Sequence, residues 1–230
     1  VVTVTHGAAR AIGAKRKAAR RSAPHVVLSG IESVHAPRAT RAPGPTRVLH
    51  LGTLYHGRDP RPLFNALGDL RRAGRLPPDT VDFRFVGDCR WFHGLRVDEL
   101  ASQAGIADVV SLHDPVPPAE AQSLLREADV LLLLAQRQPA QVPHKLYEYL
   151  GAARPILAFA DEDGETTRML RHVGGHQVVT ESTPEGAAAQ RVAAALQSAS
   201  DGWTIDPARL EEWTTTRQMA RLIRLIEGAA

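Results

Sequence analysis

The chain has 230 residues, one cysteine and a net charge of +3, with 43% of its residues apolar and only 5% aromatic. That size fits one large domain, or one domain with a fragment of a second, with a core resting mainly on Leu, Val, Ile and Ala. The lone Cys89 excludes an internal disulfide and suits a reducing cytoplasm, and no apolar stretch approaches the ~20 residues of a membrane-spanning helix.

Residues 1–5 alternate β-branched side chains and read as a strand already in progress, without an initiator methionine. A piece of a longer chain is therefore expected. Residues 8–21 read as a helix and residues 25–28 as a short strand. Residues 1–47 hold nine Lys/Arg against the single acid Glu32, a local charge of +8 that leaves −5 for the remainder. The run AKRKAARR permits peripheral contact with an anionic membrane, but a solvated helix face is the plainer reading, and nucleic acid is not an expected partner. Residues 29–45, with Pro37, Pro43 and Pro45, form the best linker. They divide the sequence into 1–45, a remnant of a preceding domain plus linker, and 46–230.

Beyond the linker, apolar runs alternate with amphipathic ones. Strands are expected at 48–51, 81–86, 109–112, 130–134, 156–160 and 177–180. Helices are expected at 60–72, 95–104, 118–128, 145–151, 165–173, 184–198 and 207–227. This alternation implies an α/β fold, a Rossmann-like doubly wound parallel sheet with helices on both faces. Ligands of such sheets sit beyond the carboxyl ends of the strands. The segments 52–59, 87–94, 113–117, 136–144 and 161–164 should line that edge.

The stretch VPHKLYEYLGAARPILAF, residues 142–159, carries the strongest signal. Leu146, Tyr149 and Leu150 share one helical face, Gly151 can close the helix, and residues 156–160 follow as a buried strand. Lys145 stands at the helix start, where free N–H groups and the helix dipole favour phosphate. Glu148, one turn on, suits neutral hydroxyls. Phosphate and diol together suggest a nucleotide or nucleotide sugar. On the same edge, Gly52 lets a ligand approach the backbone and Arg58 offers a fork of donors for phosphate oxygens. Asp88 can bond a hydroxyl or cap a turn, His113 can stack on a base, and His144 can cap the helix or donate to phosphate. No metal-ligand spacing, nucleophile elbow, Walker loop or Gly-x-Gly-x-x-Gly is present. Cys89 reads as a small semi-buried side chain.

Four stretches resemble the C-terminal, donor-binding domain of GT-B-fold retaining glycosyltransferases of the family-4 type: VLHLGTLYHGRDPRPLFNAL, FRFVGD, GIADVVSLHDPVPPAEAQSLLREADVLLLL and the stretch just quoted. HVVLSGIESV is similar to the family's interdomain passage and EEWTTTRQMARLIRLIE to its closing helix. The resemblance implies that 1–45 is the end of an acceptor-binding domain with its linker, and that 46–230 is the nucleotide-sugar domain with the closing helix. It implies metal-independent transfer with retention, and no cofactor beyond the nucleotide-diphosphate sugar substrate. The acceptor, a glycan, lipid or small molecule, is left open. Arg58 and Lys145 would be the catalytic cations. Gly52, Thr53, Asp88, His113, His144, Leu146 and Glu148 would join them around the donor, Glu148 on the ribose. Two positions depart from the family: Ala140 stands where its first glutamate would be, and Thr53 replaces its usual basic residue. The protein would act in the cytoplasm, with membrane association open. Two alternatives remain: a non-catalytic module binding an anionic partner through the basic N-terminal helix, and a GT-B-fold nucleotide-sugar epimerase.

Overall fold

The computed structural model describes residues 1–18, 23–35, 43–184, 186–200 and 203–228. β1 (Val2–Thr3), α1 (His6–Ala18) and β2 (His25–Val26) come first, the two strands pairing in parallel. Then follow β3 (Thr46–Leu51), α2 (Arg61–Arg72), β4 (Val81–Val86), β5 (Trp91–Phe92), β6 (Leu95–Arg96), α3 (Val97–Gln103), β7 (Val110–His113) and α4 (Pro118–Glu127). β8 (Val130–Ala135), α5 (His144–Gly151), β9 (Ile156–Ala160), α6 (Glu165–Val173), β10 (Gln177–Val179), α7 (Ala187–Ser200) and α8 (Thr215–Glu227) complete the chain.

Six strands form one parallel sheet in the order β10-β9-β8-β3-β4-β7. Because successive side chains on a strand point to opposite faces, the sheet divides its apolar residues between two cores. Val48, Phe83, Leu132 and Phe159 pack with α2, α3 and α7. Leu49, Leu131, Leu133 and Ala158 pack with α4, α5 and α6. Burial on both faces explains why β8 is the unbroken run VLLLLA. The chain is an α/β Rossmann-like fold with helices on both sides. The order turns back at β3, which lies between β4 and β8, and such a reversal is where these sheets open a crevice for ligands.

Several expected boundaries shift for physical reasons. The helix expected at 95–104 occupies only Val97–Gln103, because Leu95–Arg96 returns antiparallel against Trp91–Phe92. His93 and Gly94, at φ 51° and 78°, supply the two left-handed residues of a tight hairpin turn. The long helix expected at 207–227 is two 3₁₀ turns followed by α8. Its break falls at Thr214, which is extended and whose hydroxyl accepts from the Arg217 N–H. His113, expected in a loop, is the last residue of β7. Gly151 does not end α5 by adopting a left-handed conformation; Ala153 does, at φ 51°. Gly151 is instead a close-approach position, where a Cβ would collide with the Ser33 carbonyl.

The first strand shortens to Val2–Thr3, and α1 starts at His6; the end of the expected helix, residues 19–21, lies outside the described residues, as do 36–42 of the expected linker. The described first part of that linker is not loose. Ile31 is buried and exchanges backbone hydrogen bonds with Trp213 and Thr215 at 2.8 and 3.0 Å, and the His35 N–H donates to the Gly151 carbonyl at 2.7 Å.

Candidate functional site

At the sheet's reversal the ladder between β3 and β8 covers only Val48–Leu49. Past it, backbone groups must find other partners. The N–H of Leu51 donates to the buried Tyr149 hydroxyl of α5 at 3.0 Å. The ring of His50, 2% exposed, bridges the same gap with Nδ1 3.2 Å from the Leu132 carbonyl. That contact makes Nδ1 the protonated nitrogen and leaves Nε2 a lone-pair acceptor, buried and without a partner. Burial, aided by the charges of Arg58 and Lys145 and opposed by the bond to Leu132, lowers the imidazole from 6.5 to about 4.

β3 and β4 then end in Gly52 and Gly87, at φ 147° and 133°. The two backbones lie so close that a Cβ at Gly87 would collide with the Gly52 carbonyl. Cys89 donates its thiol to that carbonyl at 3.0 Å and is fully buried, more than the sequence implied; burial pushes the thiol up to about 12, so it stays a thiol. A Cβ on Gly52 would stand 3.0 Å from Arg58 Nη1 and 3.8 Å from His50 Nε2, so the absence of a side chain opens the floor between them. Arg58 is half-buried, donates to the Thr53 carbonyl at 3.3 Å and lies 4.5 Å over the Tyr55 ring. Its Nε is buried without a partner.

α5 presents Lys145 and Glu148 on its opposite, half-exposed face, while Leu146, Tyr149 and Leu150 anchor it in the core. Lys145 Nζ lies 2.8 Å from Glu148 Oε2, and His144 Nε2 lies 3.8 Å from Oε1. These three line a cleft of about 440 Å³ whose far walls are Gly30–His35 and the start of α4.

The structure thus brings Gly52, Thr53 and Arg58 together after β3, and His144, Lys145 and Glu148 together in the cleft at the start of α5; Arg58 and Lys145 both act on His50 through space. The Leu146 side chain is fully buried and packs in the core. Asp88 and His113 are exposed, and, like Gly52, Thr53 and Arg58, they are not among the cleft-lining residues. Their contributions here are backbone ones, the carbonyls accepting from Leu54 and Gly87 at 3.0 Å. His144 is the first residue of α5 rather than its cap, which is Pro143. Ala140 is clasped by the N-terminal segment. Thr5 donates its hydroxyl to the Ala140 carbonyl at 2.7 Å, and a Cβ on Gly7 would stand 2.6 Å from Ala140 Cα.

Two residues escaped the sequence reading, His50 and Tyr147. The Tyr147 hydroxyl is buried without a partner, and the residue lines the cleft. A histidine inside the apolar run VLHL was the available signal for the first; Tyr147 gave none, since an aromatic on a short helix is usually core. Among the described residues no three His, Cys, Asp or Glu side chains converge to hold a metal, and no helix is long and apolar enough to cross a membrane.

No protein-family model matches the sequence, and no curated protein is similar to it in sequence. Solved structures are similar in fold. HepE of Anabaena in complex with UDP superposes with a TM-score of 0.66 at 14% identity, over 99% of this chain and 63% of that one. The lipopolysaccharide outer core galactosyltransferase WaaB gives 0.65 at 16%, over 100% and 62%. A glycosyltransferase from Rickettsia africae gives 0.70 at 12%, over 98% and 62%. The chain therefore spans less than two thirds of each. At these identities the likeness is one of architecture: the chain has the Rossmann-like α/β fold found in GT-B glycosyltransferases.

Proposed function

We propose that this chain is mainly the donor-binding part of a glycosyltransferase that moves a sugar from a nucleotide-sugar donor to an acceptor with retention. The observation that carries the reading is that Arg58, set against Gly52 at the end of β3, and the Lys145–Glu148 pair at the start of α5 stand where the sheet order reverses. Arg58 and Lys145 take the diphosphate, with the start of α5 supplying N–H groups. Glu148 takes the ribose hydroxyls, and Gly52 leaves room for the phosphates. As the glycosidic bond breaks, charge grows on the leaving diphosphate, and fixed cations there stabilise the transition state without a metal. HepE has been solved with UDP and with UDP-glucose, which supports this choice of ligand.

In this reading residues 1–45 are the end of an acceptor-binding domain and its linker, and the acceptor meets the donor across the cleft between the domains, in the cytoplasm. The Ala140 position lacks the carboxylate that would hold the sugar, so recognition concentrates on the nucleotide end. Titration calorimetry with UDP, GDP, ADP and their hexose conjugates tests the reading. Saturable heat with at least one of them is expected. No heat with any, while circular dichroism shows the chain folded, would overturn it.

A further inference from the structure

Beside Arg58 lies a second cluster that the nucleotide reading does not use. Three loops at the carboxyl edge converge there. The loop after β3 supplies His56, the β5–β6 hairpin supplies His93, and the loop after β8 supplies Arg137. The His56 and His93 rings are 5.5 Å apart, edge to face. Arg137 Nη1 lies 3.3 Å from His56 Nε2 and donates to it. All three residues are exposed.

Two of the three occupy backbone conformations that ordinary side chains avoid, His93 at φ 51° and Arg137 at φ 59°. Such strain persists only where the surroundings enforce it, and it collects at sites of function. The enforcement at Arg137 is visible. Its N–H and that of Gln138 both donate to the Asp161 carboxylate, at 2.7 and 2.6 Å. The Gln136 and Gln138 side chains donate to the Asp59 and Gly57 carbonyls at 2.8 and 3.1 Å, joining this loop to the one bearing His56. His93 is set by its hairpin turn, with its ring 4.5 Å from that of Phe92.

Two carboxylates, Asp59 and Asp161, stand near Arg137 without chelating its guanidinium. Asp59 is held by Arg61 through 2.9 and 2.6 Å contacts, and Asp161 accepts backbone N–H groups. Among the described residues no carboxylate is ion-paired with Arg137. The guanidinium's donor to His56 selects the tautomer with Nδ1 protonated, so His56 in turn presents an N–H outward. A guanidinium fork with two imidazoles is a donor set for a phosphoryl group.

We infer that His56, His93 and Arg137 form a phosphate-recognition site, separate from the nucleotide's diphosphate, that engages a phosphorylated acceptor. The inference rests on the proposed nucleotide site beside it. The shared chemistry is a phosphoryl group, and its two possible sources, acceptor and donor, are separable by experiment.

The test follows the imidazole resonances of His56 and His93 as sodium phosphate is titrated into the chain, without UDP and at saturating UDP. It is repeated with His93→Asn and Arg137→Asn, since asparagine tolerates the left-handed backbone and keeps the fold. A saturable shift that survives UDP is expected, weakened about tenfold in each variant, with UDP affinity within about twofold of the original. An absence of saturable shift, or unchanged phosphate affinity in both variants, overturns the inference. So does a shift that UDP competes away, which would give these groups to the donor's own diphosphate. If UDP fails to bind at all, the nucleotide reading falls, while the titration without UDP still decides whether the cluster holds phosphate.

Discussion

Lys145 and Glu148 hold each other on the half-exposed face of α5, Nζ to Oε2 at 2.8 Å. Both are partly exposed, and a pair in that setting adds on the order of 1 kcal/mol or less to stability. In the proposed function a nucleotide separates them, taking the ammonium to its phosphates and the carboxylate to its ribose.

Glu148→Gln and Lys145→Ala should therefore each weaken nucleoside-diphosphate binding by about tenfold or more while costing under about 1 kcal/mol in urea denaturation. Calorimetry beside a denaturation curve separates the two effects. Unchanged affinity with a large loss of stability would return the pair to a structural role.

His50 makes stability depend on acid. Its folded value, about 4, lies below its ordinary 6.5. The unfolded chain therefore binds the proton first as the pH falls. Stability from the neutral ring is complete above 6.5 and is lost as pH drops toward 4, by about 3 kcal/mol in all. His176, also held at about 4 by burial, adds in the same window. His50→Phe should show a shallower fall in unfolding free energy between about pH 7 and pH 4.5 than the unaltered chain. Parallel curves would contradict the assignment.

Gly87→Ala should cost about 2–4 kcal/mol. It combines φ 133° with a collision against the Gly52 carbonyl. Because the β3 and β4 ends would be forced apart, nucleotide affinity should fall with it. A variant of unchanged melting temperature would show that the two strand ends are not so closely apposed.

Tyr149→Phe leaves the Leu51 N–H without its partner inside the core. The expected loss is about 1–3 kcal/mol, with faster exchange of that amide. No change in either would mean that the hydroxyl does not tie α5 to β3.

The sheet was legible because its strands are apolar runs bounded by turns: 81–86 and 156–160 read from the sequence with the bounds they have in the fold. Periodicity says nothing of two-residue strands, which is why Trp91–Phe92 and Leu95–Arg96 were absorbed into a loop and a helix. The 207–227 helix was overextended because Thr214 caps it through a conformation that an amphipathic pattern does not record. At the site, Lys145 and Glu148 could be paired from helical spacing alone. His50 could not, since its meaning comes from β8 lying beside β3, a contact 82 residues away in sequence. The inward face of α5, with Leu146, Tyr149 and Leu150, was legible from helical spacing.

The most direct measurement is the structure of the chain with the nucleotide that calorimetry selects. The account predicts the diphosphate against Arg58 and Lys145, a ribose hydroxyl within about 3 Å of a Glu148 oxygen, and the Lys145–Glu148 contact opened. A nucleotide bound elsewhere, with that ion pair intact, would contradict it.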